Sequence, residues 1–336
     1  MFHNIFTCIF FLQTSIHILT MTNINEPCHV EAIGNVLSDT SRPLKERFRA
    51  LFTLKNLGGE QAIDCISQCF SDSSALLKHE LAYCLGQMLN PYAIPKLVNV
   101  LEDKNQDPMV RHEAGEALGA IGSVDAVSIL EKYKDDPTVE VAETCQLALE
   151  RIRWLQSKEK ETEQLSKNPY FSTDPAPPST SLSIDGLKKE LLDENLPLFK
   201  RYRAMFSLRN IGTTEAVIAL AQGLKCSSAL FRHEIAYVLG QMQHDACVQE
   251  LKVNLCDEAE SPMVRHECAE ALGAIATDEC TKILEQYSTD KERVVKESCV
   301  VALDMCDYEH SKEFQYADSL TKVSQQNGLE EQTVCS

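Results

Sequence analysis

Four of the nine histidines are each followed directly by a glutamate, and these four pairs are the residues in the sequence best suited to bind metal. They are His79-Glu80, His112-Glu113, His233-Glu234 and His266-Glu267. Imidazole and carboxylate ligands without thiolate suit iron, manganese or zinc. Two imidazoles and one carboxylate per ion leave coordination positions open, as in non-haem iron oxygenases. Of these metals we favour a pair of irons, because two reduced irons can share the two-electron reduction of O2.

The elements that must position these pairs are the units of a tandem duplication. The strings that begin at Arg47, Ser74 and Pro108 recur 154 residues later, at Arg201, Ser228 and Pro262 in the same order. Within the first half, Leu-Gly dipeptides end three similar segments at spacings of 28 and 33 residues. A repeat of this length is typical of stacked helical pairs, which bury their apolar faces only against their neighbours.

Each unit is predicted to contain two helices, with a His-Glu pair early in the second. First helices are predicted over Ala93–Leu101 and Asp125–Tyr133, and a second helix over Pro108–Ile121, whose apolar residues recur at three- and four-residue steps. Asp107 is a predicted N-cap and Gly122 a predicted C-cap. The fold class is therefore all-α, an α-solenoid of HEAT-like helical pairs, with two tandem halves of four units that face each other.

A structural explanation of a single His-Glu pair is easy, because a glutamate near a helix start is favoured by the helix dipole. It does not explain why the central units of each half carry the pairs while the outer units have Leu51-Phe52 and Val141-Ala142 at those positions. Stacked helices lie roughly 8–10 Å apart, so equivalent side chains converge. The sequence contains neither HExxH nor the ExxH pairs of four-helix di-iron bundles, which excludes those scaffolds.

Composition limits the partners and the compartment. The formal charge of -18 argues against nucleic-acid binding and favours a cationic partner. The fourteen cysteines form no CxxC pair and many lie in apolar strings, which indicates buried thiols in a reducing compartment, the cytoplasm. The apolar run Ile5–Leu12 is too short to span a bilayer, so we expect no membrane partner. We also expect a monomer.

The chain divides into five predicted segments. Residues 1–23 form an N-terminal extension that we expect to be disordered or dispensable, and residues 24–155 form the first HEAT-like half. Residues 156–183, rich in charge, Pro and Ser, read as a flexible linker. Residues 184–308 form the second half, and residues 309–336 form a polar tail.

The position of the pairs in the middle two units of each half, with the strings Leu85-Gly-Gln-Met88 and Pro108-Met-Val-Arg-His-Glu113, resembles the deoxyhypusine hydroxylase family. The resemblance covers about Glu31 to Met305. It implies a di-iron monooxygenase that uses O2 and two Fe2+ ions to hydroxylate the deoxyhypusine side chain on a translation factor, which completes hypusine. The roles that it implies are one iron held by His79, His112 and Glu113, a second held by His233, His266 and Glu267, and substrate amines contacted by Glu80 and Glu234.

Two alternatives remain at this stage, a non-enzymatic HEAT-repeat scaffold and a dinuclear zinc hydrolase, and metal analysis separates both from iron chemistry. Glu116 and Glu270, one turn after His112 and His266, are candidate hydrogen-bond partners of the metal ligands. For Arg111 and Arg265, which precede those histidines, pairing with the nearby carboxylates and simple solvation are both open.

Overall fold

Apolar residues at helical spacing give this chain a helical fold throughout the part that the computed structural model describes, residues 27–180, 183–313 and 315–319. The predicted N-terminal extension, residues 1–23, lies outside the described residues. The described helices of the first half and of the segment after it are α1 (Pro27–Ser38), α2 (Leu44–Leu57), α3 (Gly59–Ser67), α4 (Ala75–Gln87), α5 (Ile94–Glu102), α6 (Pro108–Ile121), α7 (Val127–Tyr133), α8 (Val139–Gln156) and α9 (Glu159–Thr162). Those of the second half are α10 (Ile184–Leu192), α11 (Leu198–Ile211), α12 (Thr214–Ala221), α13 (Ala229–Met242), α14 (Val248–Cys256), α15 (Pro262–Ile275), α16 (Asp278–Tyr287) and α17 (Arg293–His310).

The helices pair in chain order into four units per half, which confirms the predicted all-α solenoid. The second helix of each pair packs against the second helix of the next unit, so that α2, α4, α6 and α8 form one inner layer. Helices α11, α13, α15 and α17 form the other.

Helix α6 shows why the boundaries were predictable. The Asp107 side chain accepts a hydrogen bond from the Met109 N–H at 2.9 Å, and Pro108 occupies the first turn, where a missing N–H costs nothing. Gly122 ends the helix in the left-handed conformation, with φ 72° and ψ 16°. The helix spans Pro108–Ile121 as predicted.

The Leu-Gly dipeptides lie at the ends of their inner helices, one just after its helix and two within the last turn. Gly58 does follow the last residue of α2, but Gly86 and Gly119 lie inside α4 and α6. A Cβ on Gly119 would lie 2.7 Å from the Ala148 Cβ, and one on Gly86 would lie 2.8 Å from the Ala117 Cα. These glycines therefore allow neighbouring inner helices to approach closely.

Arg111 and Arg265 have a structural role that the sequence left open. The Arg111 Nε donates to the Leu101 carbonyl at 3.0 Å, and its Nη2 lies 2.7 Å from an Asp136 oxygen. Arg265 repeats this with the Leu255 carbonyl and Asp290. Neither guanidinium group is therefore bound to a site glutamate; each ties its inner helix to the helix before it and to the loop between the two helices of the next unit.

The two halves close into a ring because the last inner helix of each packs against the first two inner helices of the other. Helix α8 contacts α11 and α13, and α17 contacts α2 and α4. The interface hydrogen bonds are duplicated too. Ser74 Oγ donates to Glu297 at 2.6 Å, and Ser228 Oγ donates to Glu143 at 2.7 Å, each pair shifted by the same 154 residues. The halves therefore face each other across an approximate twofold axis.

The division of the chain into domains stays a prediction. Residues of the segment predicted as a flexible linker nevertheless contact both halves. Thr173 exchanges two hydrogen bonds with the Gln87 amide of α4, at 2.9 and 3.2 Å, and Asp174 pairs with Arg209 of α11 at 2.7 Å. Within the ranges that are described, no helix has the length and apolar character that crossing a bilayer requires.

Candidate metal centre

The four predicted histidines meet at the centre of the molecule, on the approximate twofold axis. His79 of α4, His112 of α6, His233 of α13 and His266 of α15 come from the four central inner helices. Five of their ring pairs have centroids 5.2 to 5.6 Å apart. None of the four side chains is more than 5% exposed. Equivalent positions of the repeat thus converge because the inner helices stack and the halves face each other.

Carboxylates approach these rings in a pattern that the duplication repeats. The His79 Nε2 lies 3.3 Å from a Glu113 oxygen, and the His233 Nε2 lies 3.4 Å from a Glu267 oxygen. Each contact joins one central inner helix to the next within its own half. Glu113 and Glu267 are both buried.

The remaining glutamates break the symmetry. Glu80 accepts a hydrogen bond from the neighbouring His79 Nδ1 at 3.2 Å, and Glu270 lies 3.5 Å from the His266 Nδ1 and accepts from Ser298. Among the described residues, no donor binds the carboxylate of Glu234, the equivalent of Glu80, or that of Glu116, the equivalent of Glu270. Glu270 therefore lies near the imidazole of its histidine without a hydrogen bond to it, and no contact joins Glu116 to His112 among the described residues, so the candidate partnerships stay predictions.

The donor set fits a metal, and the histidine nitrogens are the observation that tests this. Both ring nitrogens of His112, His233 and His266, and the Nε2 of His79, are buried without a hydrogen-bond partner. A buried unpaired polar atom costs about 1–3 kcal/mol, so seven in one place call for a ligand. Two sets of ligand atoms lie within 4.8 Å of one another, His79 with His112 and Glu113, and His79 with His233 and His266. Glu267 is absent from the second set, and His79 is common to both.

Three of the four imidazoles are in the neutral form that binds metals. Burial and the neighbouring imidazoles place the pKa values of His112 and His233 well below the usual range, and burial and His79 do so for His266. Burial also disfavours the charged form of His79, but the nearby charges of Glu113 and Glu80, with the hydrogen bond to Glu80, outweigh it and raise the His79 pKa well above its usual value. The carboxylates beside His79 therefore favour its charged form.

Burial disfavours the charged form of the carboxylates around the histidines. Burial, followed by Glu113 and Asp174, raises the pKa of Glu234 to about 8, and burial raises that of Glu270 to about 7. The pKa values of Glu116 and Glu267 are raised further, again chiefly by burial and then by neighbouring carboxylates. Such perturbed acids in one cleft are typical of a functional site, and here they require cations.

These groups line one cavity between the halves, and several of its residues were not predicted. Tyr83 and Tyr237, at equivalent positions of α4 and α13, line it, as do Phe52 of α2 and Met305 of α17. Two segments outside the repeats contribute Asp174 and Tyr316. The tyrosines were detectable from the duplicated Glu-x-Ala-Tyr string, whereas no periodic signal marks Asp174 or Tyr316.

Known proteins resemble this chain in fold and in sequence. The family model for HEAT repeats matches residues 65–150 and 217–304, and that for the PBS lyase HEAT-like repeat matches residues 200–226. Deoxyhypusine hydroxylase of Rattus norvegicus is 62% identical over 294 residues, which cover 88% of this chain and 97% of the relative. That of Drosophila melanogaster is 62% identical over 295 residues with the same coverage. The structure of human deoxyhypusine hydroxylase in complex with glycerol matches with a TM-score of 0.81 and 59% identity, over 84% of this chain and 97% of the human one.

Proposed function

The chain belongs to the deoxyhypusine hydroxylase family and is an enzyme that hydroxylates deoxyhypusine, and we propose that it does so with two iron ions and O2 as a monooxygenase. The observation that carries the proposal is the cluster of four buried imidazoles with unpaired nitrogens among buried carboxylates. A scaffold protein has no use for this costly arrangement.

We assign His79, His112 and Glu113 to one iron, and His233, His266 and Glu267 to the other. The His79 Nε2 contact with Glu113 and the His233 Nε2 contact with Glu267 support this division, because they repeat in both halves. Two imidazoles and one carboxylate per ion leave positions open for other ligands. Bound in the reduced state, the pair of irons would supply the two electrons that O2 activation requires.

The protein's own residues bind and orient the substrate. Deoxyhypusine is a lysine side chain extended by an aminobutyl group, so it carries a secondary and a primary ammonium joined by methylenes. We assign Glu80 and Glu234, the glutamates that are not metal ligands in the His-Glu pairs, to these amines. Both line the cavity and both are buried, at 7% and 3% exposure, which strengthens their hydrogen bonds to a cation.

The substrate is a protein that bears deoxyhypusine, and we take this protein to be a translation factor. The net charge of -18 favours a cationic partner surface around that side chain. We further propose that the enzyme is a monomer and that it lies in the cytoplasm. The many buried free cysteines favour a reducing compartment such as the cytoplasm.

The first experiment measures metal and product together. Protein purified under reducing, anaerobic conditions is expected to contain about two irons per chain, and to change its absorption spectrum when O2 is added. Incubation of a deoxyhypusine-bearing protein with the reduced enzyme under 18O2 should add one labelled oxygen to the modified side chain, measured by mass spectrometry. Stoichiometric zinc, with no oxygen added, would contradict the proposal.

The second experiment separates the glutamates. Replacement Glu80→Ala is expected to keep iron and to weaken substrate binding by about 1.5–3 kcal/mol, the value of a hydrogen bond to a charged group. Replacement Glu113→Ala is expected to lose iron. If Glu80→Ala instead removes the iron, the division of the carboxylates is wrong.

A further inference from the structure

The cavity has an open end and a blind end, and the exposure of its lining residues distinguishes them. The lining residues of the open end are partly exposed: Tyr83, Gln87, Glu116, Thr173 and Asp174. They surround the place where the segment between the two halves, residues 156–183, passes the cavity. The lining residues of the opposite end are buried, none above 8% exposure: Phe48, Phe52, Glu80, Glu270, Val301, Met305 and Tyr316. A side chain carried by another protein can enter only from the exposed end.

Tyr316 closes the blind end from outside the repeats. Its ring packs edge-on against Phe52 with centroids 6.2 Å apart, and the Arg49 guanidinium lies 4.6 Å from its outer face. Arg49 is itself fixed by Asp304 at 2.9 Å and by Glu313, from the segment that leads to Tyr316, at 2.8 Å. The wall is thus anchored by ion pairs and presents an aromatic ring to the cavity.

Carboxylates lie along the cavity at both ends. Glu80 and Glu270 are buried at the blind end, next to the apolar surfaces of Phe52 and Met305. Towards the open end lies Glu234, 3% exposed and without a hydrogen-bond donor among the described residues, and the partnerless Glu116 lies beside it. Two pairs of carboxylates, the inner pair beside apolar side chains, match an arm with two cationic nitrogens separated by methylenes.

We propose that the deoxyhypusine arm enters past Asp174, that its secondary ammonium binds between Glu234 and Glu116, and that its terminal ammonium binds at the blind end. There Glu80 and Glu270 accept hydrogen bonds from this ammonium, and Phe52, Met305 and Tyr316 pack against the adjoining methylenes. This inference rests on the proposed function and adds to it the direction of binding. The blind end therefore selects arms by their length. An unmodified lysine is too short to reach it, and a longer arm collides with Tyr316.

The test uses two ligand proteins that differ only in the terminal amine. One carries deoxyhypusine and the other an N-butyl-lysine of nearly the same shape without the terminal nitrogen. Their Kd values for the iron-loaded enzyme are measured by calorimetry without O2. Met305→Lys places a cation at the blind end and is expected to weaken binding of deoxyhypusine at least about tenfold, because like charges repel strongly in a buried site. It is expected to change binding of the butyl arm about threefold or less.

The controls keep the result interpretable. Val300→Lys adds the same charge to the exposed side of the same helix, where Val300 is 39% exposed, and should leave both Kd values within about twofold. Glu234→Gln should weaken both ligands, since both keep the secondary ammonium. If Met305→Lys lowers the iron content or the helical circular dichroism, Met305→Gln and Tyr316→Leu are used instead. Each of these is expected to weaken binding of the deoxyhypusine ligand by about threefold or more, without a matching effect on the butyl ligand.

Reversed binding is the outcome that overturns the inference. It would appear as Met305→Lys weakening both arms equally while Glu234→Gln affects only the ligand with the terminal amine. The inference would also be overturned if none of these substitutions changed the Kd of either ligand protein. In either case a wild-type enzyme that binds iron and hydroxylates deoxyhypusine keeps the proposed function, whereas an inactive, iron-free wild type contradicts the function itself.

Discussion

The Tyr83 hydroxyl lies 3.0 Å from the Tyr237 hydroxyl, so two equivalent residues of the duplicated chain are hydrogen-bonded to each other across the axis that relates them. Each tyrosine follows the histidine of its helix by one turn, Tyr83 after His79 in α4 and Tyr237 after His233 in α13. The bond therefore fixes the register of the two helices that bring histidines from opposite halves together.

We predict that the two hydroxyls stabilise the protein as one unit. Tyr83→Phe should lower the free energy of unfolding by about 1 kcal/mol, the typical net value of one hydrogen bond. The double replacement should cost little more than Tyr237→Phe alone, because that single change already removes both the Tyr83 bond and the bond that the Tyr237 hydroxyl accepts from the Gln241 amide at 3.0 Å. Urea unfolding of the three variants measures this cycle. Strictly additive losses would mean that the hydroxyls act through separate partners.

Loss of one histidine should remove metal while leaving the fold. His266→Ala deletes a fully buried ring whose two nitrogens have no protein partner, so its removal breaks no hydrogen bond. We expect metal affinity to fall by more than the roughly 10–100-fold that loss of an outer partner costs, with nearly unchanged helical circular dichroism. His310→Ala, at the exposed end of α17, is the matched control and should retain full metal. Unchanged metal in His266→Ala would contradict the assignment.

Metal removal should introduce a pH dependence that the loaded protein lacks. In the metal-free protein the pKa of Glu234 is about 8 and that of Glu270 about 7, above the usual 4.5, chiefly because of burial. Above pH 6.5, where the histidines of the unfolded state are already neutral, the folded state binds more protons than the unfolded state, so stability falls as the pH rises from 6.5 towards 8. Below pH 6.5 the lowered pKa values of His112, His233 and His266 act in the opposite direction. We expect a loss of at least about 1 kcal/mol across this window.

The measurement is thermal unfolding of chelated and loaded protein between pH 5 and 8. Glu234→Gln removes one of the two titrating groups and should flatten the slope of the chelated protein. A chelated wild type that gains stability as the pH rises from 6.5 to 8 would be inconsistent with the burial of these carboxylates.

The sequence allowed us to predict the features of the structure that recur with the repeat or depend on local signals. Helix α6 was predicted at its observed bounds because its cap residues and apolar spacing are local signals. The meeting of His79 with His233 was predictable because equivalent positions converge in any stacked, duplicated array. Tyr316 and Asp174 were not, since each lies in a segment without periodicity. Tyr316 is held by tertiary packing under the Arg49 guanidinium, and Asp174 by its ion pair with Arg209.

A repeated structural motif gives a further prediction because one of its copies is incomplete. In three inner helices an arginine donates through Nε to the carbonyl ten residues before it and pairs through Nη2 with the aspartate 25 residues after it. The three ion pairs, 2.6 to 2.7 Å long, are Arg47–Asp72, Arg111–Asp136 and Arg265–Asp290. Arg201 keeps the first bond, to Leu191 at 2.9 Å, but Cys226 stands where the aspartate is expected, and the Arg201 Nη2 is buried without a partner.

Cys226→Asp should therefore stabilise the protein, by about 1–2 kcal/mol at pH 7, because it supplies a charged acceptor to an unpaired buried donor. The arginine partner lowers the pKa of Asp136 and Asp290 despite their partial burial, and the new aspartate should behave likewise. Its contribution is then present above the unfolded pKa near 4 and is lost as the pH falls through the lowered folded value. Cys226→Asn, of the same shape without the charge, is the comparison in urea unfolding at pH 7 and at pH 3. An aspartate variant that is no more stable than the asparagine variant at pH 7 would show that Arg201 gains nothing from the restored pair.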